Sequence, residues 1–237
     1  MTAKKYNLNS KDFPDWAEFN WIQFEIENSI DAFKKSVKIQ QESHAQITAD
    51  LHNNIAKLKL ENSDNLDEQG LEQYVEHLYG LEERITAELG MLQNSSSIIF
   101  AFAIFENKLR LICEKLKSDF DFECNVKTDS YASDYWKMLK NFLDAEINSV
   151  EKYYSQIRHQ NIVRHIIIHQ NSVANQQEFK TLKRFKGLKF IKFQNSFYLN
   201  SIENYFIENL VTLIQTFFKE LLIVVKNKTN DVLRNVV

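Results

Sequence analysis

From Ile26 onward, apolar residues return every three or four positions: Ile26, Ile30, Phe33, Val37, then Ile47, Leu51, Ile55 and Leu58. That spacing collects them on one helix face and predicts a single long helix over 15–60. Gln40 and His44 fall on the same face. Polar residues in an apolar seam more often fix register than do chemistry. The run "ENSDNLDEQG" (61–70) breaks the period and predicts a turn. The period resumes at Leu71 and continues through Val75, Leu78, Leu81, Ile85, Leu89 and Leu92, with Glu72, Glu76, Glu82, Glu83 and Glu88 on the other face. Residues 15–96 therefore read as a long antiparallel helical hairpin, a scaffold or an interaction surface, preceded by a flexible N-terminal arm over 1–14.

The character of the chain changes at "NSSS" (94–97), which is either a helix break or a soft spot. Next, "SIIFAFAIFENKLRLICEKL" (97–116) is apolar on nearly every face and predicts a central core helix, with Glu106 the one acid in its middle. An irregular acidic loop (117–131) leads to a short helix over 133–143 and a long one over about 146–170. Residues 171–200 show no helical period. Within them "LKFIKF" and "SFYL" flank Gln194-Asn195, the pattern of a short β-hairpin over 188–199. Asn200 and Glu203 fit a capping box that opens a final helix, with a C-terminal tail over 227–237. The class is all-α: a four-helix bundle over 97–226 behind the hairpin extension.

Composition narrows this further. Four Gly and one Pro are too few for a turn-rich β fold. Cys113 and Cys124 form neither a metal-ligand spacing nor a disulfide framework, which suits a reducing compartment. The N-terminus has no apolar core of a signal peptide, and "LVTLIQTFFKELLIVV" (210–225) is interrupted by Gln215, Lys219 and Glu220. A soluble, cytoplasmic protein that does not enter a membrane is expected. The net charge of −3 conceals an asymmetry: residues 152–202 hold nine Lys/Arg and one acid, Glu178, a local +8 that leaves −11 on the rest. A basic segment in an acidic protein points to an anionic partner at that surface.

Chemistry concentrates in "IVRHIIIHQNSVANQQ" (162–177), where Arg164, His165 and His169 interrupt branched aliphatics. The chain holds no CxxC pair, no HExxH and no Gly-rich phosphate loop. On a helix His165 and His169 share a face, while Arg164 lies about 100° around from His165, long enough to reach toward His169. A zinc site on the two imidazoles lacks a Cys or carboxylate nearby in sequence, so no metal or other cofactor is expected. The amide-rich tail places His169 in the final helical turn, where the dipole favours a cation. An imidazole that moves protons beside a fixed guanidinium suits RNA cleavage by internal transesterification. Ordinary capping and surface groups produce the same pattern.

The stretch "IVRHIIIHQNSVAN" resembles the signature of the HEPN superfamily (the higher eukaryotes and prokaryotes nucleotide-binding domains). There an Arg and a polar residue precede a few apolar residues and a His near the end of the third helix. Arg164 matches the Arg, His165 the polar position and His169 the terminal His, with Asn171 near the amide that often follows. His165 stands where Asn or Asp is commoner, and Arg158 to His165 is a second register that the family pattern allows. "FAFAIFENKLRLICEKL" is similar to the family's first bundle helix, Glu included, and 187–218 to its strand-like link and closing helix. The resemblance covers about 97–226. It implies a metal-independent ribonuclease with its site at a homodimer interface through the bundle helices, serving as a toxin or antiviral-defence effector, with an antitoxin or regulatory partner. It also implies that some members only dimerise or bind.

RNA contacts would come from Lys180, Lys183, Arg184, Lys186, Lys189 and Lys192, with Arg158 ahead of the motif, by neutralising phosphates. Phe179, Phe185, Phe190 and Phe193 are interleaved, to stack bases or pack on the bundle. Glu106 would orient Arg164 as a supporting group, or pair with a core Lys or Arg. Three readings remain: a ribonuclease using Arg164, His169 and His165; a non-catalytic helical interaction protein; and a small metalloprotein on His165 and His169.

Overall fold

The computed structural model of the chain describes residues 18–120 and 132–234. They form an all-α protein with one small sheet. In chain order the elements are α1 (Phe19–Asn62), α2 (Glu68–Phe120), α3 (Ala132–Leu143), a 3-10 turn (Asp144–Ile147) and α4 (Asn148–His169). Then come β1 (Val173–Ala174), α5 (Gln176–Leu182), β2 (Leu188–Phe193), β3 (Ser196–Ile202) and α6 (Asn204–Arg234). The predicted arm over 1–14 and most of the acidic loop, from 121 to 131, lie outside the described residues. Among those described, no helix is long and apolar enough to cross a membrane.

Two compact units share the long helices. The first takes its described residues from Met1–Ala32, Ala101–Asn161 and Asn209–Val237, the second from Phe33–Phe100 and Ile162–Glu208. The boundary expected at 96/97 has no break in the chain to mark it: α2 passes through as one helix. Ser95 and Ser97 are buried there, small residues on a packed face rather than a helix stop.

The first unit is built around aromatic rings. Trp136 stacks on Tyr154 at 4.2 Å and 10°, Phe105 meets Phe217 edge-on at 5.2 Å, and Phe217 meets Phe218 at 5.1 Å. Such pairs add to the free energy of burying the rings themselves. Burial pushes the Tyr154 hydroxyl above its ordinary pKa, with Arg158 pulling more weakly the other way. Among the described residues, Lys108 is the charge buried in this unit, 7% exposed at its side chain and held by Glu25 at 2.8 Å. Nothing in the sequence pattern marked that pair.

In the second unit α1 and α2 run antiparallel, as the pairs Gln40–Ser97 (3.3 Å) and His44–Thr86 (3.0 Å) show by moving in opposite directions along the two helices. The turn between them is closed by Asn62, whose carbonyl accepts from the Asn65 and Leu66 amides, and by Asp67, whose side chain caps Gly70 N at 2.8 Å. Leu51, Ile55 and Val75 form the buried cluster, with Leu58 and Tyr79 partly buried against it. The expected seam of α2 is rotated. Val75, Thr86 and Ser97 are buried, whereas Leu78, Leu81, Ile85 and Leu92 face solvent, Leu81 at 67%. Ile47 on α1 is exposed as well, so the seam loosens about its polar middle.

Strand order is β1-β3-β2, all antiparallel, with Ile191 opposite Tyr198 and a bulge between Lys189 and Phe190. The expected hairpin is present and gains β1 as a third strand, Val173 pairing with Tyr198. Three local expectations need correction. Residues 176–182 are helical: Asn175 accepts from Gln177 N and Glu178 N while Glu178 accepts from Asn175 N, a complete capping box. The box expected at Asn200 and Glu203 does not form, because Asn200 belongs to β3, which pairs onward to Ile202 opposite Leu188. The tail expected over 227–237 is helical as far as Arg234.

Candidate functional site

The last turns of α4 carry the motif. Val163 and Ile166 are fully buried, which fixes the helix rotation and turns His165 and His169 outward. Their rings lie 5.1 Å apart at 46°, both exposed. Arg164, one position before the first His, sits half-buried on the flank. The structure thus brings the two imidazoles together on one open face. Arg164 is about 140° around the helix from His169, five residues at about 100° each.

How α4 ends explains Asn171. Ser172 N and Gln170 N both donate to the Ile166 carbonyl, at 2.9 and 3.1 Å, and Asn171 takes the left-handed conformation (φ 49°) that this stop requires. Asn tolerates that region better than most residues. Ser172 follows at φ 62° and its carbonyl accepts from Leu199 N at 2.8 Å, which ties the helix exit to β3. Gln170 donates to Glu178 at 3.1 Å, so the capping box of α5 holds the exit from the other side. Local hydrogen bonding thus locks the exit of the motif helix.

The basic segment follows at once. Lys180, Lys183, Arg184, Lys186, Lys189 and Lys192 are all exposed, and Lys189 is paired with Glu203 at 2.8 Å. The interleaved Phe residues divide. Phe179 stacks on Phe197 at 3.9 Å and 3°, Phe190 meets Phe179 edge-on, and Phe185 meets Phe206. These three pack. Phe193 stands out, 60% exposed, with its ring 6.3 Å from that of Tyr198. Tyr198 and Ile191 share this outer sheet face, and neither stood out in the sequence. The alternation of "SFYL" in a strand carries the signal: Phe197 and Leu199 turn inward, so Tyr198 turns outward.

Arg158 is exposed on α4 and Glu106 half-buried on α2, and both belong to the first unit, whereas the motif residues belong to the second. Among the described residues, no group of three or more His, Cys, Asp and Glu is placed to hold a metal ion. No family model matches the chain, and neither does any curated protein or solved structure.

Proposed function

We propose that the chain is a metal-independent endoribonuclease of HEPN type, a cytoplasmic toxin or antiviral-defence effector working as a homodimer on RNA. The observation that carries this reading is the exposed His165–His169 pair beside Arg164, at the mouth of a segment of exposed cations. In the reaction one imidazole takes the proton of a 2′-hydroxyl, whose oxygen attacks the adjacent phosphorus. The 5′-oxygen leaves with a proton from a second imidazole, giving a 2′,3′-cyclic phosphate and a 5′-hydroxyl. A guanidinium stabilises the charge gathered on the phosphoryl oxygens. Because Arg164 lies well around the helix from His169, a second copy that brings its own Arg164 to this face would complete the set. Phe193 and Tyr198 offer faces for unpaired bases, and the lysines hold the backbone.

The test is RNA degradation by purified protein in EDTA, wild type against His169→Ala and Arg164→Ala. Cleavage that survives chelation and disappears in both variants supports the reading; cleavage abolished by chelator refutes it. Overexpression should slow growth for the wild type and not for the variants.

A second reading, a non-catalytic interaction protein that regulates a partner, has an observation of its own. Leu78, Leu81, Ile85 and Leu92 form a heptad-like stripe on α2 that faces solvent. Folded protein with no cleavage in any form, together with capture of a helical partner, would select it.

A further inference from the structure

Midway along the α1–α2 hairpin the apolar seam gives way to a cleft of about 390 Å³. That lies within the ~300–1,000 Å³ usual for small-molecule sites. Its walls carry six carboxamides: Gln40 and Gln41 from α1, Gln93 and Asn94 from α2, Asn200 from β3 and Asn204 from α6. Among the described residues, no Asp, Glu, Lys or Arg lines it.

Part of this wall is fixed in place. Asn94 donates to the Ile202 carbonyl at 2.7 Å and to Asn204 at 3.3 Å, and Ser97 donates to Gln40 at 3.3 Å. His44 Nε2 lies 3.0 Å from the Thr86 carbonyl, an acceptor only, so Nε2 carries the hydrogen. One group is left over. Gln41 Nε2 is buried and has no hydrogen-bond partner among the described residues. Leaving a buried donor without an acceptor is costly, so an acceptor that this side chain could reach by turning into the cleft would relieve it.

Gly90 shows how closely the cleft wall is fitted at His44. A Cβ there would lie 2.7 Å from His44 Nε2, so the glycine, unfavourable inside a helix, is what lets the imidazole lie against α2. We propose that this cleft binds the base of an uncharged nucleoside. A carboxamide presents a donor and an acceptor side by side, the complement of a nucleobase edge. The lack of charge in the lining disfavours an ionised ligand, which would be desolvated with nothing to pair it. Val37, Met91 and Ile202 supply apolar surface for the flat faces of a ring.

The experiment titrates the full chain with adenosine, guanosine, cytidine and uridine, and with their 5′-monophosphates, following heat of binding and Tm. At least one nucleoside should bind with a Kd on the order of 10–100 μM and raise Tm. Its monophosphate should bind no tighter. Gly90→Ala should change the Tm of the free protein little, the helix gain of alanine offsetting the lost His44–Thr86 hydrogen bond, yet lose at least tenfold in nucleoside affinity as His44 is displaced. Gln41→Leu should do the same. Wild type indifferent to every nucleoside at about 1 mM, or Gly90→Ala binding as wild type does, overturns the proposal. Tighter binding of monophosphates that is unmoved by Gly90→Ala would assign the ligand to surface lysines and overturn it equally.

Discussion

The aromatic interior of the first unit and the α1–α2 seam of the second are both made by helices rich in apolar residues, and they use them in opposite ways. In the first, Phe105, Trp136, Tyr154, Phe217 and Phe218 meet ring to ring and are buried. In the second, a small cluster about Leu51, Ile55 and Val75 holds one end, polar groups occupy the middle, and leucines of the regular α2 period face outward. Helical periodicity finds both faces but cannot choose between them. The choice is made by what packs across: small residues on α2, such as Gly90, allow close approach to α1, and the larger leucines are turned away.

The comparison breaks most sharply at single buried residues. Phe217→Ala should cost about 3–5 kcal/mol, because Phe105, Trp136 and Phe218 cannot close the gap left by the ring. Leu51→Ala in the hairpin should cost only about 2 kcal/mol, the low end for such a change, since the cluster is thin and can relax toward solvent. Urea denaturation of the two variants measures both, and equal losses would erase the contrast.

The buried charge in the first unit sharpens it next. Glu25→Ala removes the carboxylate that holds Lys108 and should cost about 1–2 kcal/mol. That is less than for a fully buried pair, because Glu25 is itself about one third exposed. Lys108→Met removes the charge instead of its partner and should be neutral or stabilising. A loss with Lys108→Met as large as with Glu25→Ala would mean that the pair does more than satisfy itself.

At the site, Asn171 separates architecture from chemistry. Asn171→Val puts a β-branched residue at φ 49° and should cost about 1–2 kcal/mol, whereas Asn171→Gly should leave stability nearly unchanged. If Asn171 only ends α4, Asn171→Gly also retains any RNA cleavage by the wild type. Loss of cleavage in a stable Asn171→Gly protein would return the amide to the reaction.

Much of this architecture is legible in the chain. The long helix from Phe19, the turn at 63–67, the short helix over 132–143 and the β2–β3 hairpin follow from periodicity and from sparse Gly and Pro. The face of a helix that meets its neighbour does not, because rotation depends on residue size across the interface, as at Gly90. Helix ends that rest on side-chain hydrogen bonds were half visible. "NQQE" holds the same Asx-x-x-Glu signature as Asn200 and Glu203, but the ladder from Leu188 to Ile202 keeps Asn200 in a strand while Asn175 caps a helix. In the motif, adjacency of His165 and His169 follows from a spacing of four. The packing of Phe179 and Phe190 about the sheet and of Phe185 against Phe206 of α6, against the exposure of Phe193, depends on tertiary contacts that their spacing along the chain does not show.

The smallest expected effect tests the outward stripe. Leu81→Lys with Leu92→Lys alters two side chains that are 67% and 58% exposed, so unfolding free energy should change by less than about 0.5 kcal/mol. Any consequence should appear in association instead. If the stripe meets another helix, sedimentation of the variant alone or with a captured partner will show a lighter species, since two lysines in a heptad seam would be desolvated without a counter-charge. If sedimentation is unmoved and stability falls by 1 kcal/mol or more, the leucines are already engaged within the chain. The hairpin would then use its apolar residues as the aromatic unit does, and the contrast between the two regions would be one of degree.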